Sequence, residues 1–329
     1  MPRRFIFFIL LPLSALSVLV LPWIGHGSMN ADVIWRPQGE DVDSLIFWHI
    51  RLPRVLLALL AGIGLALGGL VFQAIFRNPL ATPFTLGVAG GASLGVTLWI
   101  FFGFQFTLLG ISGTSLAALS GALISIALVY GIARATGNLS PHTMLLGGVA
   151  ISFFFSSIIL LLQYLGDISD TFRVIHWLMG DLSRANYDLV LQVFPFVFTG
   201  ALITLFHSRE LNLLSLHDDL AATRGVSVER TRIVLFLAVS IMLAGIITAC
   251  GPIGFVGIMA PHICRLLIGA NHRHLIPATL LFGGLFLAIC DTLARTLSLS
   301  TEVPVGIITA ILGGPFFLAL LFRNSRTTP

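Results

Sequence analysis

Ten apolar stretches, each close to the length a helix needs to cross hydrocarbon, leave this chain few ways to fold. Hydropathy and Gly/Pro punctuation place them at residues 5–24, 52–72, 84–102, 108–132, 142–165, 189–207, 232–250, 254–270, 276–296 and 303–322. In lipid the backbone must satisfy its own polar groups. Ten such stretches therefore predict an all-α polytopic membrane protein with one transmembrane domain over residues 1–329. Only 10% of the residues are charged, against about 25% in a soluble chain. The first stretch follows Arg3 and Arg4 as a signal peptide would. Its apolar run is long and lacks a small-x-small cleavage site, which predicts a retained helix.

Basic residues orient the spans. With the N-terminus inside, 12 of the 18 arginines fall on inner segments, and the outer side keeps Arg36, Arg51, Arg54, Arg173, Arg184 and Arg295. Nine acids also fall outside, among them Glu40, Asp41, Asp43, Asp167, Asp181 and Glu302. Both termini are thus expected on the cytoplasmic side. The chain has no Lys, so it has no P-loop, whose ammonium must reach the nucleotide phosphates. Any ATP hydrolysis then belongs to another chain. Cys250, Cys264 and Cys290 lie in apolar stretches without CxxC spacing and read as small core residues. The cluster His272-Arg273-His274 reads as a basic loop, since further ligands at metal spacing are lacking. No carboxylate pair, HExxH motif or nucleophile–base set lies within the spans, so no catalytic site is expected.

Two loops exceed what a connection needs. The outer one, 166–188, holds an apolar piece at 172–179 that suits a short helix against the outer mouth. The inner one, 207–232, begins a capping-box pattern at Ser215-Leu216-His217-Asp218. Leu216, Leu220 and Ala221 then share a helical face, Gly225 sits where a left-handed C′ residue is wanted, and Ser227 is placed to cap the next helix. This loop reads either as a well-capped connector or as a docking element for a cytoplasmic partner.

Several spans are interrupted by Gly and Pro, most densely at Gly251-Pro252-Ile253-Gly254-Phe255-Val256-Gly257. Irregular backbone at membrane depth is tolerated only inside protein or beside a water-filled cavity. Such segments, Gly254 and Gly257 included, read as a transport path or as close helix packing. Gly62-x-Gly64 near Gly68 has no preceding strand and reads as helix packing, not a dinucleotide fingerprint. Asp291 and Arg295, four apart on one helical face, read as an ion pair or as an arginine turned outward.

Ordered blocks then resemble the FecCD family of ABC importer permeases. They are Arg51-Leu52-Pro53-Arg54, the run from Gly68 to Ala74, Asn78-Pro79-Leu80-Ala81 with Pro83, the run from Gly251 to Gly257, Pro261-His262-Ile263 with Arg265, Asp291 with Arg295, and Glu302-Val303-Pro304-Val305-Gly306. The resemblance covers nearly all of 51–323. It implies a ten-helix, type II importer fold and a permease subunit that is not itself an enzyme. Its implied partners are two cytoplasmic ATP-binding subunits, a periplasmic or lipoprotein substrate-binding protein, and a second permease copy or sister permease. No cofactor, resident metal or nucleic-acid partner is implied. By position, Leu216, His217, Asp218, Leu220, Ala221 and Gly225 match the ATPase-coupling element, and Arg51, Arg54 and Arg295 match the arginines that receive the binding protein. The segment from Leu139 through Ser140, Pro141 and His142 resembles the inner-gate region, though small hydroxylated residues are expected where Pro141 and His142 stand. The implied cargo is a metal chelate: ferric siderophore first, then haem or cobalamin, taken across the bacterial cytoplasmic membrane. An ion-coupled secondary transporter built from inverted repeats is the competing reading. The structured inner loop and the presence of a single acid, Asp291, inside the spans favour the importer.

Overall fold

A computed structural model describes residues 3–25, 31–35, 37, 39, 41–108, 111–136, 140–297 and 302–325. Arg36, Glu40, Leu139 and Arg326 lie outside the described residues. In chain order the elements are α1 (Arg3–Val20), α2 (Val42–Leu45), α3 (Leu52–Phe76), α4 (Val88–Phe101), β1 (Thr107–Leu108), β2 (Ile111–Ser112), α5 (Gly113–Ala135), α6 (Pro141–Leu165) and α7 (Ile168–Leu178). They continue with α8 (Tyr187–Phe206), α9 (Ser208–Leu214), α10 (Asp218–Thr223), α11 (Val228–Cys250), α12 (Val256–Ile268), α13 (His272–Thr296) and α14 (Val305–Ser325). Among the described residues, seven helical runs are long and apolar enough to cross a membrane, and α4, α12 and α14 contribute three shorter apolar helices. The ten predicted spans map onto these ten in order.

The largest boundary shift is at the fourth span. It was expected from residue 108, but residues 107–108 and 111–112 form two short antiparallel strands that pair Thr107 with Ser112 and Leu108 with Ile111. Helix α5 starts only at Gly113, where the Ser112 hydroxyl accepts from the Ser115 N–H at 3.2 Å. Helices α6 and α8 are capped in the same way by Ser140 and Asn186. Each cap satisfies an amide the first turn cannot.

Helix α3 is the axis of the bundle. A π-helical turn, Ile46–Arg51, joins α2 to it, so the run Val42–Phe76 spans 35 residues. Helices α8, α11, α12 and α13 pack around it, and nearly every side chain from Leu65 to Phe76 is buried. Between helices in lipid, close van der Waals packing drives association, and small residues permit it. At the crossing with α12, a Cβ on Gly69 would lie 1.8 Å from the Gly257 carbonyl oxygen; Gly62 meets Gly283 of α13 similarly. The glycines of α3 are therefore packing residues. Farther along, Phe72, Phe76 and Phe236 of α11 form an aromatic cluster with centroids 5.9–6.5 Å apart.

The bundle has two ends. Helix α1 finishes, α3 begins, α13 finishes and α14 begins at one of them, where Arg295 donates to the Leu21 carbonyl and Arg54 reaches Asp291 and Glu302. Helix α1 begins and helix α14 finishes toward the opposite end, termed the terminal end below. There α9 and α10 lie beside the C-terminus of α3 and the start of α13.

Candidate functional site

At the terminal end the segment 207–232 folds into α9, α10 and the start of α11. The expected capping box does not form. The Ser215 hydroxyl donates to the Asn212 carbonyl at 2.9 Å, closing α9, and α10 starts after His217 without a side-chain cap. Ser227 precedes α11 but makes no side-chain cap either. Asp218 is used elsewhere: its two oxygens each accept from Arg232 Nη2 at 2.9 Å, and Arg77 Nη2 lies 3.3 Å away. Arg77 Nη1 also lies 3.4 Å from His217 Nδ1. The far terminus of α10 follows the sequence expectation. Gly225 has φ +80°, its N–H donates to the Ala222 carbonyl, and the Val226 N–H donates to the Ala221 carbonyl. Those two bonds form a Schellman closure. Ala221 is fully buried against the bundle, whereas Leu216 and Leu220 are 59% and 50% exposed. The three do not share one environment: the alanine faces inward and the leucines outward.

At the opposite end, Arg51, Arg54 and Arg295 come together but do not face outward. They are 8, 3 and 5% exposed. Arg54 Nε donates to both oxygens of the fully buried Asp291 at 3.0 Å, and its Nη1 bonds the exposed Glu302. Arg295 Nη2 donates to the Leu21 carbonyl at 2.6 Å and to Thr292 Oγ1 at 3.2 Å. Arg51 Nη1 donates to the Pro22 carbonyl at 3.3 Å. The carboxylate of Asp291 is thus bonded by Arg54 of α3 rather than by Arg295 on its own helix. An unpaired charge at bilayer depth costs about 2.5–3.5 kcal/mol or more, and a carboxylate held by a guanidinium from a neighbouring helix avoids it.

Beside the start of α14 lies the interrupted segment 251–255. Helix α11 stops on Gly251 with φ +68°, and α12 begins after Phe255, a non-glycine residue at φ +66°. Neighbouring backbone satisfies the end of α11: the Asp181 N–H donates to the Cys250 carbonyl at 2.8 Å. Gly254 borders open space, while Gly257 is buried against Leu65 and Gly69. Of this pair, only Gly254 has open space beside it. Gln73 Nε2 donates to the Gly257 carbonyl at 3.0 Å and Arg265 Nη2 to Gln73 Oε1 at 3.2 Å. Ser140, Pro141 and His142 form the first turn of α6, with the Ser140 hydroxyl engaged as the cap at 3.2 Å from the Thr143 amide.

Two further features escaped sequence reasoning. A cavity of about 430 Å³ lies between the starts of α5 and α8, the end of α11 and the amphipathic α7, with Arg173, Asp181, Arg184, Asp188 and Trp177 in its wall. Mixed charge of this kind suits a hydrated vestibule. His272, read as part of a basic loop, is instead buried in the first turn of α13, with Nδ1 3.0 Å from Asn212 Oδ1 of α9. All three cysteines are buried and unbridged. No group of three or more His, Cys, Asp or Glu side chains is arranged for a metal ion among the described residues.

The chain is similar to the hemin transport system permease protein HmuU of Yersinia pestis, with 36% identity over 98% of this chain and 96% of that protein. It is similar also to the iron(3+)-hydroxamate import system permease protein FhuG of Bacillus subtilis, with 34% identity over 97% and 93%. A solved inward-facing ABC transporter of the metal-chelate type superposes with a TM-score of 0.87 at 35% identity, over 97% of this chain and 99% of that one. The FecCD transport family model matches residues 9–323. The chain belongs to the FecCD transport family: it is a multi-pass permease subunit of an ABC importer, a transport component whose ATPase resides on a separate subunit.

Proposed function

We propose that this permease carries a metal chelate inward across the bacterial cytoplasmic membrane, with ferric siderophore the first candidate and haem or cobalamin next. The observation that carries the mechanism is α10. It is a short helix pinned to the bundle at Asp218 and Ala221 and closed at Gly225, and Leu216 and Leu220 beside and on it are left exposed. Exposed leucines at the rim of a charged loop suit an apolar contact with a protein partner. In this reading each of two ATP-binding subunits docks on one copy of this element, in a pair made with a second permease copy or a sister permease. The arginine bias puts this end, and both termini, in the cytoplasm.

At the outer end the binding protein settles on a rim braced by Arg51, Arg54 and Arg295. The arginines act from beneath the surface. Glu302, exposed and bonded to Arg54, is the group that an acidic side chain of the binding protein would displace. The open side of Gly254 and the first turn of α6, with Ser140, Pro141 and His142, border the path. Ion-coupled transport is disfavoured because Asp291 is locked to Arg54 and is not free to cycle a proton.

Co-purification tests this. Leu216→Asp combined with Leu220→Asp should leave membrane insertion intact and abolish recovery of the ATPase subunit with the permease. Undiminished recovery would sink the docking assignment. A cysteine placed at Ser215 should react with maleimide only after the membrane is permeabilised; labelling in intact cells would reverse the orientation. Uptake assays with radiolabelled ferric siderophore, haem and cobalamin, each with the cognate receptor, would sort the cargo.

A further inference from the structure

The geometry points to Asp218 as the positioning residue that holds the docking helix in register with the ends of two membrane helices at once, so that movement of a docked ATPase reaches α3 and α11 together. This inference rests on the reading of 207–232 as the docking loop. Helix α10 has six residues and no side-chain N-cap, far below the length at which an isolated helix holds its own shape. Its orientation must come from outside. One side is fixed by Ala221, which is fully buried. The first turn is fixed by Asp218, whose carboxylate is shared between Arg232, one turn into α11, and Arg77, the residue that ends α3.

Arg77 occupies the left-handed region at φ +49°, a conformation that costs a side-chain-bearing residue about 1–2 kcal/mol. A glycine would close α3 with less strain, but it would bring no guanidinium to α10. The strained position thus supplies one arm of the clasp, and Arg232, almost wholly buried, supplies the other. Neutralising Asp218 removes the ion pairs that tie the first turn of α10 to Arg232 and Arg77, and so loosens the helix in its seat. The Leu216 and Leu220 contact would survive in part, while its rigid link to the bundle would not.

The decisive readout is cargo taken up per ATP hydrolysed by the reconstituted complex, normalised to the ATPase that co-purifies, so that weaker docking alone does not move it. Asp218→Asn should lower this ratio about tenfold, in the range that residues in a coupling network command, and Asp218→Glu should restore most of it. Arg77→Gln removes only the α3 arm at a partly exposed side chain. It serves where Asp218→Asn fails to accumulate, with an expected drop of about threefold. An unchanged ratio in the accumulated variant overturns the clasp, as does a loss that Asp218→Glu fails to reverse. Replacing 216–221 by a Gly/Ser linker separates the two ideas. Retained ATPase binding there overturns the docking reading itself. Lost binding there, with an unchanged ratio in Asp218→Asn, overturns the clasp alone.

Discussion

Helix α3 ends in ionic clusters on both sides of the bundle, and the two are built differently. At its start, Arg54 and Asp291 are sealed from solvent, and only Glu302 reaches the surface. At its end, the Asp218 carboxylate and the Arg77 guanidinium are both about one-third exposed, and Arg232 alone is buried. A sealed pair is costly to break because either partner left alone is an uncompensated buried charge. A half-exposed one can separate into water at small cost. The first is suited to fixing helices in place, and the second to a surface contact that salt and water can weaken.

That contrast can be broken outright at the sealed end. Arg54→Ala should destabilise the protein by about 3–5 kcal/mol, read as a lowered melting temperature in detergent or as lost accumulation in the membrane. Arg54→Met with Asp291→Leu should recover part of the loss, since the buried Asp291 carboxylate is no longer left unpaired, while Arg295 keeps its buried charge. A single mutant that melts like the wild type would show that the far end is held by packing alone.

Gly225→Val sharpens the comparison with a smaller effect. Open space surrounds Gly225, so the cost is the left-handed backbone alone, about 1–2 kcal/mol. It should fall on the Schellman closure and leave the global melt nearly unchanged, while protease sensitivity of 215–227 rises and uptake falls. Glu302→Gln should have the smallest effect, within about 1 kcal/mol on the melt. Its binding-protein affinity should rise, because Arg54 loses a competing carboxylate; a fall would remove the displacement model for the outer rim.

Hydropathy made the ten spans legible because crossing lipid is a local demand on each segment. The amphipathic cap at Gly225 was legible for the same reason, since a left-handed C′ position depends on its own few neighbours. What stayed hidden was set by distant partners. Asp218 fits a capping box on spacing, yet it turns to Arg232 and Arg77, charges that no local window contains. Asp291 has Arg295 one helical turn away, yet Arg54 from another helix takes it. The three arginines at the end where α3 begins were recognisable as a set, but their burial depends on the Leu21 and Pro22 carbonyls and on Glu302, which only the fold brings near. The strand pair of 107–108 with 111–112 escaped because Leu108 and Ile111 are as apolar as the span that follows.

The lengths of two helices carry a consequence for permeation. At 1.5 Å per residue the run Val42–Phe76 is about 50 Å long, well beyond the hydrocarbon thickness of about 30 Å. Helix α12, with 13 residues, covers only about 20 Å. Above it stands the interrupted segment with its open glycine. A water-filled path beside α12 would leave a dielectric barrier thinner than the membrane around it, and a voltage across the bilayer would then drop over that shorter distance. A charged chelate passing there would meet a steeper field over a shorter crossing, so the net charge of the cargo should set how strongly uptake responds to membrane potential.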